Sequence, residues 1–199
     1  RLPAPVKLWY HGPMFRYERP QAGRQRQFHQ VGVEMFGIKQ PTADAEVILM
    51  AVNFLKELGL NDLDVEINSL GCPKCRDEFK NKLKAVLKPY LSELCEDCQN
   101  RYEKNPLRLL DCKVESCKKI FEKPEVQEII NSDFICEECA EHYNELKLYL
   151  DKMGVKYTEN KLLVRGLDYY NRTVFEIKSN NLGSQNAVAG GGRYDGLVG

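Results

Sequence analysis

Eight cysteines fall into four short-spaced pairs, Cys72/Cys75, Cys95/Cys98, Cys112/Cys117 and Cys136/Cys139, which account for every cysteine in the chain. Two thiols separated by two to four residues on a turn can present two thiolates to one ion, so four such pairs suggest two tetrahedral Zn2+ sites. Unligated thiols and disulfides are the competing accounts, and nothing resembling a secretory start favours the second. If the segment carrying them leaves and rejoins the rest at one place, the outer pairs 72/75 and 136/139 meet at its base. Pairs 95/98 and 112/117 then meet at its tip.

A second set of reactive types lies in "FRYERPQAGRQRQFHQVGVEMFG", Phe15 to Gly37. Side chains alternate between the two faces of a strand. Read as a hairpin, this stretch puts Arg16, Glu18, Gln30 and Glu34 on one face with Phe28 and Gly32. Such a face could be merely solvated. A mid-strand glycine, however, marks close approach of a ligand or backbone, and a ring beside arginines suits a flat, phosphorylated ligand. Arg165 sits in the apolar run "KLLVRGLDYY" and needs an anion or a wet cavity there. His29 falls on the apolar face and reads as structural; His11 and His142 belong to no motif. A phosphate-binding loop of the G-x-x-x-x-G-K-[ST] type does not occur.

The elements that must hold these groups follow from periodicity. Strands are expected at "KLWYH" and "MFRYE", broken at Gly12-Pro13, and at "FHQVGVEMF". A helix over "ADAEVILMAVNFLKELG" should bury Val47, Met50 or Ala51, Phe54 and Leu58, and end at Gly59. "DVEINS" reads as a strand, and a helical stripe of Phe79, Leu83, Val86 or Leu87 and Leu91 follows, interrupted by Pro89. Beyond Cys139 come a helix and strands at "VKYTEN", "KLLVRGLDYY" and "TVFEIKS". The expected class is α+β: an antiparallel sheet flanked by helices. Residues 1–71 and 141–199 form its two parts, around a mainly helical, Cys-rich insertion at 72–140.

Composition agrees with an ordinary globular chain: 199 residues, 43% hydrophobic, 29% charged and formally neutral. Residues 1 to 40 carry seven basic against two acidic side chains, a net of plus five, while 72 to 140 carry thirteen against fourteen. A phosphate-binding surface is therefore expected near the opening hairpin. No apolar run is long enough to span a membrane, and a cytoplasmic setting is expected. Without an initiator Met, and ending within an apparent sheet, the chain reads as a piece of a longer one.

"FRYERPQAGRQRQFHQ" resembles motif 2 of class II aminoacyl-tRNA synthetases. "LVRGLDYYNRTVFE" and "AGGGRYDGL" resemble the two signature motifs particular to the histidyl-tRNA synthetase family, in the family's order. The resemblance implies a class II synthetase-like sheet and ATP-dependent activation of histidine, followed by transfer to the 3' end of tRNA(His). By matching position it implies that Arg16 binds the α-phosphate of ATP, Glu18 the adenine amino group and Arg24 the outer phosphates, with Phe28 stacked on adenine. Gln30, Glu34, Tyr170 and Tyr194 would line the histidine pocket, and Arg165 would be the family's additional catalytic arginine. Mg2+ would arrive with ATP, the insertion would meet the tRNA acceptor end, and the parent protein would be a homodimer. Motifs 1 and 3 and the anticodon-binding domain have no counterpart in these residues, so this piece alone is expected to be weakly active or inert. The alternative function is the synthetase-like regulatory subunit of ATP phosphoribosyltransferase. A zinc-ribbon nucleic-acid binder would explain the cysteines alone.

Overall fold

The computed structural model of the chain describes residues 3–17, 19–20, 24–132, 134–166, 168–182 and 186–197. Strands β1 (Val6–Phe15) and β2 (Gln27–Phe36) form an antiparallel hairpin. Its register sets Met14 opposite Phe28, Gly12 opposite Gln30, Tyr10 opposite Gly32 and Leu8 opposite Glu34. β1 runs unbroken through Gly12-Pro13, contrary to the expected interruption. Its outer edge carries no partner among the described residues, so the N–H that Pro13 lacks deprives no neighbouring strand of a bond. The hairpin is a sheet of its own, whereas the sequence suggested one continuous layer.

Helix α1 (Pro41–Glu57) begins at a proline in its first turn and gives way to Gly59 at φ +90, the left-handed position anticipated for it. Its buried face is Ala45, Ile48, Val52 and Leu55. Met50, Phe54 and Leu58, expected inside, are exposed. Both stripes are apolar, so spacing alone could not choose between them.

The second sheet is ordered β4-β3-β5-β6, from β3 (Leu63–Ser69), β4 (Thr158–Glu159), β5 (Asn171–Ser179) and β6 (Ala187–Arg193). Only the β3–β4 pair is parallel. One face, through Val65, Ile67, Phe175 and Ile177, packs on α1 and on Tyr143, Leu146 and Leu150 of α6 (Glu137–Lys152). The opposite face carries charge: Lys178 Nζ lies 2.6 Å from Glu66 and 3.7 Å from Glu176.

Between β3 and α6 come α2 (Pro73–Leu87), α3 (Glu96–Lys104), α4 (Glu115–Phe121) and α5 (Pro124–Asn131), with two short 3-10 turns. They enclose a separate core that includes Phe79, Leu83 and Leu87, the expected stripe. The first 3-10 turn starts at Lys88, where Pro89 ends the α-helical bonding. The described part of 161–170, expected as a strand, is turn and coil. The Asn68 side-chain amide bonds the carbonyls of Lys161 and Leu163, so this backbone is satisfied without a neighbouring strand. No helix among the described residues is long and apolar enough to cross a membrane.

Candidate active site

The hairpin places its polar set as the alternation requires. The Arg16 guanidinium lies over the Phe28 ring, 3.8 Å from its centroid, and Arg16 N–H bonds the Arg26 carbonyl at 2.8 Å. That cation–π contact holds the arginine against the ring face expected to receive a base. Arg24 is half-buried near the same end, and Glu18 lies outside the described residues. Gln30 Nε2 donates to the Tyr10 hydroxyl at 3.0 Å. Gly32 does adjoin a close approach, but to the protein itself: a Cβ there would sit 2.1 Å from the Tyr10 ring. The room attributed to a ligand is filled by that tyrosine.

Six residues farther along β2, roughly 20 Å from Phe28 at about 3.4 Å per residue, Glu34 accepts a hydrogen bond from the Tyr194 hydroxyl at the end of β6. Tyr170 and Tyr169 pack edge-on against the Tyr194 ring, with centroids 6.5 and 5.9 Å away, and Phe36 closes the other side at 6.4 Å. Burial, then the Glu34 carboxylate, raises the Tyr194 pKa. Burial, followed by the Tyr169 hydrogen bond, pushes Tyr170 up to about 12. Both phenols are therefore neutral donors at physiological pH, facing one carboxylate. A carboxylate among neutral phenols suits a small group carrying N–H donors or a positive charge.

Arg165 reaches this cluster from the coil before β5. Its Nη1 is 3.1 Å from Glu176 Oε2, and its Nε is buried without a hydrogen-bond partner. The glycines of β6 explain how it fits. A Cβ on Gly190 would lie 2.7 Å from Arg165 Nη1, and one on Gly191 would lie 3.0 Å from the Phe175 ring. On Gly192 it would lie 2.6 Å from the Thr173 carbonyl oxygen and 2.9 Å from Tyr170. The glycine run is a strand whose missing side chains admit an arginine, a phenylalanine and a tyrosine, rather than a tight turn.

Beneath the pocket lies a buried network that spacing did not reveal. Arg193 Nη2 donates to Asp44 Oδ1 at 2.7 Å and to the Gln40 carbonyl at 3.1 Å, and Thr173 Oγ1 donates to Asp44 Oδ2 at 2.6 Å. His142 Nε2 lies 3.6 Å from the same carboxylate. Burial lowers the His142 pKa; Asp44 opposes, and Arg193 and Arg172 reinforce the fall. The nearby anion alone would favour an imidazolium, but desolvation prevails, so His142 is neutral. This network ties α1, α6, β5 and β6 under Tyr194. Asp44 and Arg193 are 149 positions apart, and no local signal marks them as partners.

The cysteines gather into two groups, Cys72/Cys75/Cys136/Cys139 and Cys95/Cys98/Cys112/Cys117, with sulfurs in each within 4.8 Å of one another. This is the nested arrangement expected from chain geometry. Sulfur separations of 3.4 Å for Cys72–Cys75 and 3.8 Å for Cys95–Cys112 are far beyond a disulfide's, and all eight cysteines are free. Thiolates about 2.3 Å from a tetrahedral ion lie about 3.8 Å apart, so the spacing fits one metal per group. Backbone N–H groups of Cys72, Cys136 and Cys95 point at Cys139, Cys75 and Cys117 sulfurs at 3.1–3.3 Å. Burial raises the pKa of Cys98 and pushes Cys139 up to about 12, whereas hydrogen bonds from the Cys75 and Lys74 backbone bring Cys72 down to about 7.

The family profile described as Histidyl-tRNA synthetase matches residues 1–199. The histidine–tRNA ligase of Desulforamulus reducens is 53% identical over 197 residues, covering 99% of this chain and 46% of that protein. That of Caldanaerobacter subterraneus is 55% identical over 195 residues, 98% of this chain and 46% of the relative. Among solved structures, apo S. aureus histidyl-tRNA synthetase aligns with TM-score 0.72 at 39% identity, over 98% of this chain and 45% of that one. A Bacillus halodurans protein titled an ATP phosphoribosyltransferase regulatory subunit/histidyl-tRNA synthetase aligns at TM-score 0.61 and 22% identity over 97% of this chain and 52% of its own, a likeness of fold alone. The chain thus spans just under half the length of the curated relatives it matches.

Proposed function

The chain belongs to the histidyl-tRNA synthetase family, and from that premise we propose that it forms the catalytic part of a longer histidine–tRNA ligase. In this reading the pocket of Glu34, Tyr170 and Tyr194 takes the histidine side chain. The Phe28–Arg16 end of the hairpin takes ATP. The observation that carries the reading is the hydrogen bond joining Glu34 on β2 to Tyr194 on β6, which brings the hairpin and the glycine strand to one place beside Arg165. Gln30 lies on the same face between the two ends.

The chemistry follows from charge. A histidine carboxylate, with a pKa near 3.5, is ionised at neutral pH, so its oxygen attacks the α-phosphorus of ATP without a general base. Pyrophosphate leaves with the electron pair of the broken P–O bond, and histidyl-adenylate remains. A ribose hydroxyl at the 3' end of tRNA(His) then attacks the acyl carbon, and AMP departs. The protein must align two anions and offset charge at the phosphorus, which suits guanidiniums fixed on different segments, Arg16 and Arg165. Arg24 would hold the outer phosphates and Glu18 the adenine amino group. Mg2+ bound with ATP would neutralise the outer phosphates further.

The two cysteine groups would each hold a structural Zn2+, tying down a helical segment too small to be stable on its own core. Residues 72–140 would form the insertion that meets the tRNA acceptor end. Its balanced charge favours positioning over phosphate attraction. The reading extends to a homodimeric, cytoplasmic parent. The test is histidine-dependent ATP–pyrophosphate exchange by the full-length parent. Arg165→Ala should lower it by roughly a hundredfold or more, about 3 kcal/mol of lost electrostatic stabilisation, with unchanged circular dichroism. Exchange at the parental rate in that variant would refute the arginine's role.

A further inference from the structure

The tyrosine pair is held in place by residues adjoining the cysteines. Arg76 follows Cys75 directly, and its Nη1 donates to the carbonyls of Asp168 at 2.8 Å and Tyr170 at 2.7 Å. Gly71, just before Cys72, accepts the Arg172 N–H at 2.8 Å, while Leu70 N–H donates back to the Arg172 carbonyl at 2.7 Å. Glu138, just before Cys139, pairs with Arg172 Nη2 at 2.5 Å. Both flanks of Tyr169–Tyr170 are thereby fixed by residues one position from three of the four sulfurs at the insertion's base. The fourth, Cys136, joins the group through its N–H on Cys75 Sγ.

Two backbone features show that this attachment is constrained. Arg172 holds φ 47, a left-handed conformation disfavoured for a long side chain, so its neighbours must enforce it. Gly71 holds φ +66, and a Cβ there would lie 2.6 Å from Cys75 Cβ. Only glycine lets the turn close so tightly on the cysteine. From the tip of the insertion, the buried Asn105 side chain donates to the Asp168 carboxylate as well.

We infer that the base cysteine group, through Gly71, Arg76 and Glu138, is a positioning device for the Tyr169–Tyr170 loop, so that metal loading of this group sets the affinity of the pocket for its amino acid. The inference rests on the pocket assignment above and deepens it. Without a cation, four clustered sulfurs do not hold the start of α2 and the start of α6 together. Arg76 and Glu138 then lose their fixed origin, and the loop carrying Tyr170 loosens. Arg76 is a positioning residue, not a catalytic one: it touches the loop backbone and reaches Tyr170 only through it. A loose loop costs the amino acid its preformed pocket and leaves the nucleotide end of the hairpin as it was.

The test uses the full-length parent, whose as-purified zinc is first measured by elemental analysis, with about two ions per chain expected. Hydrogen exchange of the segment spanning 166–171 is followed in the wild type, in the wild type after zinc removal by a chelator, and in Arg76→Met and Arg76→Lys. Loss of two charge-assisted hydrogen bonds should speed exchange there by about tenfold or more, with α1 unchanged. Arg76→Met should keep its zinc and raise the histidine KM by about tenfold, leaving the ATP KM within about twofold. Arg76→Lys, which keeps the charge and N–H donors on a shorter, non-planar group, should fall between. Unchanged exchange at 166–171 in zinc-retaining Arg76→Met, or after zinc removal from the wild type, would overturn the inference. So would a parent purified without metal, or KM values for histidine and ATP rising together. Should the wild type show no histidine-dependent activity, the pocket assignment fails, while the hydrogen-exchange comparison still decides whether the cysteine group holds the loop.

Discussion

The glycine strand offers a contrast between two single-methyl insertions, two residues apart, with opposite consequences. In Gly190→Ala the new Cβ would meet Arg165 Nη1 at 2.7 Å and the other guanidinium atoms at 3.0 Å. Ordinary contact begins at about 3.5 Å, so the guanidinium must retreat by about 1 Å. That group is the far end of a flexible side chain, so the fold yields cheaply, and stability should change by less than about 1 kcal/mol. A displacement of that size at a charge-stabilising group should nonetheless lower the exchange rate by roughly a hundredfold. In Gly192→Ala the Cβ would meet the Thr173 carbonyl oxygen at 2.6 Å, and Val174 Cγ1 and Tyr170 Cδ1 at 2.9 Å. Backbone cannot retreat without parting β5 from β6, so this variant should lose about 1–3 kcal/mol in urea unfolding. Stability is read from the unfolding midpoint, and activity from pyrophosphate exchange at saturating ATP with histidine varied. Parental exchange in Gly190→Ala, or equal destabilisation by the two variants, would refute the reasoning.

Two further outcomes follow from the buried network. Asp44→Ala leaves Arg193 buried with its closest anion removed, and should cost about 3 kcal/mol in urea unfolding; a loss below about 1 kcal/mol would show that Asp195 and the carbonyls of Ile38 and Gln40 suffice. Because burial lowers the His142 pKa, the folded state resists protonation there. The stabilisation from the neutral ring is complete above the unfolded value near 6.5 and is lost as pH falls through the lower folded value, so thermal stability should drop between about pH 7 and pH 5. His142→Gln should flatten that drop, and an identical pH profile in the variant would remove histidine as its source.

The shared face of Arg16, Phe28, Gln30 and Glu34 was legible because strand parity is local: alternation alone sets it, and the register of β1 on β2 keeps it. The cysteine grouping was legible from chain return, since a segment that leaves and rejoins one sheet must bring its outer pairs together. The packed face of α1 was not, because Val47–Met50–Phe54–Leu58 and Ala45–Ile48–Val52–Leu55 are both apolar stripes, and only the sheet decides which is covered. The segment around Arg165 reads as a strand by composition, yet its carbonyls are satisfied by Asn68, about a hundred positions earlier, a partner no window reveals. Gly32 signalled close approach of a ligand or backbone, because a missing Cβ announces an approach without saying by what; the Tyr10 side chain, directly opposite, takes the space. The Arg193–Asp44–His142 network has no spacing signal at all.

Exposed apolar side chains on the outer face of the hairpin, Trp9 at 74% and Phe15 at 73%, contrast with the pocket face, where Phe28, Gly32 and Glu34 are half-buried. The hairpin's packing is thus on its polar side, where Glu34 bonds Tyr194, and its other face carries apolar side chains in the open.

Whether Glu34, Tyr170 and Tyr194 receive histidine beside bound ATP is decided by pyrophosphate exchange on the full-length parent with each of the amino acids supplied singly. Label should enter ATP with histidine alone. Exchange driven by another amino acid, or by none, would rule out a histidine pocket at these residues.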